Sequence, residues 1–281
     1  MFRMLLTGAL VGLLGVSAVQ AATLDISIAA QGAAYNNIVA DAKLRGDIVG
    51  ALQDANLGNA SGGSNRFYAN YLDDGVTLDS RFTHFLQRFD VSSIPAGSII
   101  NSAFLTTYFA NDNANNRTFT NVKLSQLRPG KDWTEGVSQS PATDGSVTWN
   151  SQVSGTTLWA TPGATSASDI VLATTQTFDL VGVDGTATAI NRDITSWVQG
   201  WVNNPASNTG ILWWGGNSAD SDSGNRRFWL GSKEDGAGPA GDLAAAAPTL
   251  VIDYIPVPEP GAIGLLAAGL LPLIARRRKV S

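Results

Sequence analysis

Residues 82–91 read Phe82-Thr83-His84-Phe85-Leu86-Gln87-Arg88-Phe89-Asp90-Val91. After Pro95-Ala96-Gly97, residues 99–109 read Ile99-Ile100-Asn101-Ser102-Ala103-Phe104-Leu105-Thr106-Thr107-Tyr108-Phe109. Successive side chains of a strand point to opposite faces. The first run therefore places Phe85, Gln87, Phe89 and Val91 on one face and His84, Leu86 and Arg88 on the other. In the second, Ala103, Leu105, Thr107 and Phe109 alternate with Phe104, Thr106 and Tyr108. Proline and glycine between the runs force a turn. Two long strands in sequence, each two-faced, predict an antiparallel β protein.

The same reading extends outward. Leu24 to Ile28, Phe119 to Leu127, Val147-Thr148-Trp149, Thr177 to Val183, Gly210 to Trp214, Arg226 to Leu230 and Thr249 to Tyr254 are further strand candidates. Ile211 and Trp213 share one face, Leu212 and Trp214 the other. Val39 to Leu52 fits either a short helix or a strand pair, and residues 58–65 and 111–116 are polar loops. Charged residues make up 15% of the chain and glycine numbers 30, which suits many strands joined by turns. One helix is expected: Asp193 as N-cap, then Ile194, Trp197, Val198 and Trp201 as a single apolar stripe, ended by Asn203-Asn204-Pro205.

Both ends of the 281-residue chain read as addresses. Arg3 precedes an apolar run from Met4 to Val19, and Val19-Gln20-Ala21 offers small residues for cleavage after Ala21, the pattern of a secretory signal peptide. At the other end stand Val257-Pro258-Glu259-Pro260, then an apolar segment (262–275) and a basic end (276–279). That segment spans roughly 21 Å as a helix, against a bilayer core of about 30 Å. It is a marginal membrane span with its basic end on the cytoplasmic side; a plain C-terminal anchor is the alternative reading. The organisation expected is 1–21 signal peptide, 22–254 body and 255–281 tail, with hydrophobic helical segments at both ends.

The body of about 235 residues is large enough for one β domain. The chain has no cysteine, so the body holds together without disulfides and offers no thiolate metal site or Cys nucleophile. Setting aside Arg3, Arg276, Arg277, Arg278, Lys279 and Glu259 leaves the body 13 basic and 22 acidic residues, a net of −9. That argues against nucleic acid as a partner and against a broad basic groove for polyanionic sugars.

No catalytic residue is assigned. His84 is the sole histidine, no Gly-x-Ser-x-Gly elbow accompanies it, and a structural role is the expectation. The body's only glutamates are Glu135 and Glu234; Glu135 in Trp133-Thr134-Glu135-Gly136 reads as a turn cap. No aspartate is expected to have the raised pKa a general acid needs. Asp220-Ser221-Asp222-Ser223-Gly224-Asn225 alternates oxygen ligands as a calcium loop does, although positions five and twelve are glycines; Asp73-Asp74 with Asp79 is a second candidate. All eight tryptophans lie between Trp133 and Trp229. Trp133, Trp149, Trp159, Trp197 and Trp201 read as packing residues. Arg227 and Trp229, pointing outward if Phe228 and Leu230 point inward, are the ligand-binding candidates, with Trp214 behind them.

Two resemblances add to this. The Pro-Glu-Pro motif, short apolar segment and Arg cluster resemble the PEP-CTERM sorting signal of Gram-negative bacteria. The resemblance implies export, membrane attachment before processing, removal of the tail by an exosortase, and association with exopolysaccharide or biofilm matrix. In the body, residues 88–97, Trp133-Thr134-Glu135-Gly136, Val147-Thr148-Trp149-Asn150, Trp159-x-Thr161-Pro162-Gly163, residues 193–201, residues 203–212, Arg227-Phe228-x-x-Gly231-Ser232 and Pro248-Thr249-Leu250 follow one another in an order similar to the DNRLRE domain, which overlaps a carbohydrate-binding module class. That likeness implies an antiparallel β-sandwich of jelly-roll type. Together they imply an exported, non-catalytic surface or matrix protein that binds extracellular polysaccharide. A purely structural or adhesive role is the alternative, and a polysaccharide-degrading enzyme a third.

Overall fold

The computed structural model describes residues 20–47, 53–58, 66–68, 81–111, 117–137, 141–183, 188–218, 227–235 and 247–257. Thirteen strands follow in chain order: β1 (Ala22–Ile26), β2 (Val39–Asp47), β3 (Arg66–Tyr68), β4 (Arg81–Phe89), β5 (Ile99–Asn111), β6 (Arg117–Gln126), β7 (Ser151–Val153), β8 (Thr157–Leu158), β9 (Gln176–Val183), β10 (Thr188–Asp193), β11 (Ile211–Ser218), β12 (Arg227–Leu230) and β13 (Thr249–Ile255). Helices are few: α1 (Ile28–Gln31), α2 (Tyr35–Ile38) and α3 (Thr195–Asn203). The protein is mostly β, in antiparallel sheets.

The first sheet runs β1-β13-β5-β12-β3, with β10 on the other edge of β5; the second runs β2-β4-β11-β6-β9. The length of β5 explains the branching. Its residues 99–106 pair with β13, residues 109–111 with β12, and residues 104–109 with β10 on the opposite side. Where β10 ends, α3 takes over the free edge of β5. The Ile194 N–H donates to the Ala103 carbonyl at 2.9 Å, Thr195 Oγ1 accepts from the Ala103 N–H and Gln199 Oε1 from the Ile100 N–H, both at 2.9 Å. Backbone groups that a strand would have paired are thus met by helix side chains.

The two sheets face each other across one core. Leu105, Phe109, Phe228, Leu250 and Ile252 from the first meet Phe85, Phe89, Phe119, Leu124, Ile211 and Trp213 from the second. Gln87 faces the same core but is satisfied, accepting from the Trp213 Nε1–H at 2.8 Å. The outer face of the second sheet is also buried. Leu44, Leu86 and Leu212 pack there under the long excursion between β6 and β9, with Trp133, Val147, Trp159 and Ile170. The alternation read from β4 and β11 therefore serves two cores. The outer face of the first sheet is open, and Phe104 is 46% exposed.

The helix stripe lies as expected, with Trp197, Val198, Trp201 and Val202 buried. Ile194 holds the N-cap position, while the Asp193 carboxylate still caps the helix by accepting from the Thr195 N–H at 2.9 Å. Two expectations are corrected. Val147-Thr148-Trp149 is not a strand, because the Thr148 N–H turns back to the Ser151 carbonyl and Thr148 Oγ1 accepts from the Ser151 N–H. Of the two readings of Val39 to Leu52, the strand holds for Val39 to Asp47, which pairs along its whole length with β4. Helical turns are not confined to one helix, since Ser27 caps α1 through a bond from the Ala30 N–H and α2 follows it. No helix among the described residues is long and apolar enough to cross a membrane. The leader, the apolar segment 262–275 and the basic end lie outside the described residues.

Candidate functional site

At one end of the two-sheet body a cavity of about 660 Å³ opens among α2, the start of β2, the end of β4 with the turn after it, segment 131–136 and the end of α3. Local chemistry shapes it. The Asp90 N–H donates to the Ile38 carbonyl at 2.7 Å, joining the turn after β4 to α2. Asp90 Oδ1 accepts from the Ser92 N–H at 2.8 Å, an Asx turn that swings the chain toward Pro95. Asn208 Nδ2 donates to the Phe89 carbonyl at 2.8 Å and fixes the far wall.

Polar groups line this cavity beside an apolar surface. Asn36, Asn37 and Asp90 are exposed. Asn208 Oδ1 and Trp201 Nε1 are buried without a hydrogen-bond partner, although Trp201 itself is 1% exposed. Arg88 lies 5.1 Å over the Trp133 ring and 3.9 Å from Asp132. Trp133 is anchored by its Nε1–H, which donates to the Thr209 carbonyl at 2.9 Å. A cavity of this size with a few convergent amide and carboxylate groups is the usual form of a small-ligand site.

Behind its wall is a charge cluster in which Asp41 is buried and the other members are half-buried. Asp41, Glu135 and Glu234 each present an oxygen within 4.8 Å of the others. The Lys233 ammonium is 3.0 Å from Glu135 Oε2 and 3.5 Å from Glu234 Oε1, and the Lys233 N–H donates to Asp41 Oδ2 at 2.6 Å. Burial raises the Asp41 pKa well above the carboxylate range, and the charge of Glu234 adds to this while the Lys233 N–H opposes it. Glu135 is pushed up to about 7, first by burial; Lys233 opposes the rise and Glu234 reinforces it. For Lys233 burial pulls downward, but Glu135, Glu234 and Asp41 outweigh it and the net shift is upward. An ammonium already stands where a cation would be held. Glu135 Oε2 is engaged by it and Oε1 is buried without a partner.

The expected site residues fare differently. Trp214 is half-buried: its Nε1–H donates to Ser125 Oγ at 2.8 Å and Lys123 Nζ lies 4.3 Å over its ring. Arg227 and Trp229 lie in β12 opposite Tyr68 and Arg66 of β3, with Phe228 and Leu230 buried between the sheets; the side chains of Arg227 and Trp229 lie outside the described residues. Asp220 and Asp222 lie outside them as well. So do Pro258, Glu259 and Pro260, whereas Val257 is described and exposed, and Ala21 is an exposed residue just before β1. Glu135 is no mere turn cap, and Asp41 corrects the expectation that no aspartate has a raised pKa. The signal for Asp41 is local: Val39-Ala40-Asp41-Ala42 places an acid among apolar residues at the start of β2.

The fold and cavity define a class, a two-sheet, mostly antiparallel β protein with an end pocket. No protein-family model matches the chain, and no curated protein matches it.

Proposed function

We propose that the chain is an exported, non-catalytic surface or matrix protein whose end cavity holds extracellular polysaccharide. The observation behind this reading is the grouping of Asn36, Asn37, Asp90 and Asn208 around the Trp201 wall. Sugars offer paired hydroxyls that planar amides and carboxylates bind in a directional way, and C–H faces that pack on apolar and aromatic surface. The one arginine lining the cavity, Arg88, is already placed against Asp132 and Trp133. Asp90 and Glu135 add acid, so a neutral glycan suits the site better than a polyanionic one. In this reading the two-sheet body is a jelly roll, and the hydrophobic ends form helices that serve export and retention. The Val257-Pro258-Glu259-Pro260 tail is an exosortase substrate, detached after the membrane stage.

A glycan-array screen followed by calorimetry tests it. Neutral glycans should bind, and Asn36→Ala with Asn37→Ala should weaken binding by about fivefold or more, two hydrogen bonds each contributing roughly 0.5–1.5 kcal/mol. Binding that survives there but is lost in Arg227→Ala with Trp229→Ala would move the site to β12. Absence of binding to any glycan would favour the structural or adhesive role, and sustained release of reducing ends would make the protein an enzyme. For the tail, Glu259→Ala should leave the C-terminus attached in cells; normal release would count against exosortase processing.

A further inference from the structure

Behind the cavity wall two carboxylates contact one half-buried ammonium, and a third accepts from the backbone N–H of the same lysine. Lys233 offsets one negative charge, and the surplus on Asp41, Glu135 and Glu234 is costly where water is excluded. Glu135 Oε1 and Glu234 Oε2 are both buried with no partner, and the two carboxyl groups present oxygens within 4.8 Å of each other. One proton between them would give a donor to one oxygen and a mate to the other, the usual way two close carboxyl groups coexist. Tyr35 of α2 donates its hydroxyl to the Pro248 carbonyl. Asp235 accepts from the Ser232 N–H at 2.8 Å and from Ser232 Oγ at 3.1 Å. Lys233 and Glu234 act on the Glu135 carboxyl, and Asp41, Glu234 and Asp235 on the Tyr35 hydroxyl.

The cluster joins segments distant in sequence. Asp41 belongs to β2, Glu135 to the segment whose Thr134 and Glu135 line the cavity, and Lys233 and Glu234 to the turn after β12. We propose that this cluster is a proton-operated clamp on the cavity wall: a proton shared between Glu135 and Glu234 holds segment 131–136 against the 231–235 turn, and its loss in alkaline medium leaves two like charges there and loosens the wall. The clamp does not depend on what the cavity binds.

The sign follows from linkage. Glu135 has a folded pKa of about 7 against an ordinary 4.5, raised chiefly by burial. Its stabilisation is complete below the ordinary value and is lost as pH rises through about 7. Hydrogen–deuterium exchange on the full-length protein, corrected for intrinsic exchange, reads this directly. Between about pH 6 and pH 8.5, protection of segment 131–136 relative to β4 should fall about tenfold, since each pH unit between the ordinary and the folded pKa is a factor of ten and the change levels off above about pH 7. Glu234→Gln supplies a permanent neutral donor and should abolish the change. Constant protection in the wild-type protein would overturn the clamp, as would an undiminished pH response in Glu234→Gln. Full restoration of protection by millimolar calcium at pH 8.5 would overturn it in favour of a cation site. Should Glu234→Gln fail to fold, the wild-type series alone decides.

Discussion

The Nδ1–H of His84 donates to the carbonyl oxygen of Gly163 across 2.6 Å. That contact joins β4, in the second sheet, to the excursion that covers its outer face. The imidazole is buried, its centroid 4.7 Å from that of Trp149. Burial pushes its pKa down to about 4, with the Gly163 bond opposing.

His84 is therefore neutral in the native protein near pH 6, while in the unfolded chain it begins to take up a proton near its ordinary 6.5. Stability should fall as pH drops from about 6.5 through about 4, opposite in sign to the effect of Glu135. In proton NMR, the His84 ring should show no titration step near pH 6.5. His84→Phe should lower stability at neutral pH by about 1–3 kcal/mol, because the Gly163 carbonyl is left unpaired, and should remove this acid-side loss. A ring that titrates normally would refute the assignment.

Gly163 has φ of +81°, and an added Cβ would lie 2.6 Å from Trp149 Cη2 and 2.9 Å from His84 Nδ1. Gly155 has nearly the same backbone, φ +78°, but nothing within 4 Å. Gly155→Ala should cost about 1 kcal/mol, the left-handed conformation alone. Gly163→Ala should cost about 2–4 kcal/mol, with overpacking added. Urea unfolding of the pair isolates the steric part; equal losses would show that the Trp149 side chain yields freely.

Asp169 is fully buried and organises the same excursion. It accepts from the Ala160 and Thr161 N–H groups at 2.9 and 3.0 Å and from Ser166 Oγ at 2.7 Å, with Lys131 Nζ at 2.9 Å. Burial works to raise its pKa, but these partners outweigh it and hold the carboxyl below the ordinary value. Its contribution is present above that ordinary value and is lost as pH falls through the folded pKa. Asp169→Asn keeps the shape but strands the ammonium, and should destabilise by about 3 kcal/mol. A melting temperature unchanged by the substitution would contradict the ion pair.

Much of the fold could be read from period-two patterns. Phe85 with Phe89 and Ile211 with Trp213 identify the inward face because local alternation alone sorts them. Leu86 and Leu212 gave the opposite face but not its cover, since the cover comes from residues 127–175 and depends on distant contacts such as Trp133 with Thr209. β10 was not anticipated: Thr188-Ala189-Ile190-Asn191-Arg192-Asp193 has one apolar anchor, and its pairing with β5 supplies the order. The cavity joins Asn36, Asp90 and Asn208, far apart in the chain, so no motif marks it. Asp41 and the two glutamates were individually visible. Their meeting was not, because it depends on β2 lying beside the turn after β12.

Trp133 and Trp201 offer the sharpest contrast between two buried indoles. The Nε1–H of Trp133 donates to the Thr209 carbonyl at 2.9 Å, whereas that of Trp201, on the cavity wall, has no partner. Replacing Trp133 by Phe removes a hydrogen bond, strands a carbonyl and leaves Arg88 a poorer ring to stack on, so a loss of about 2 kcal/mol is expected. Replacing Trp201 by Phe removes a donor whose burial was already a cost. The lost volume and the relieved desolvation then oppose each other, and the net change should stay within about 1 kcal/mol. If a sugar hydroxyl accepts from Trp201 in the complex, Trp201→Phe should weaken glycan binding while leaving the melting temperature nearly unchanged. Equal destabilisation of the two variants would mean that Trp201 is held by packing alone and that its N–H is not reserved for a ligand.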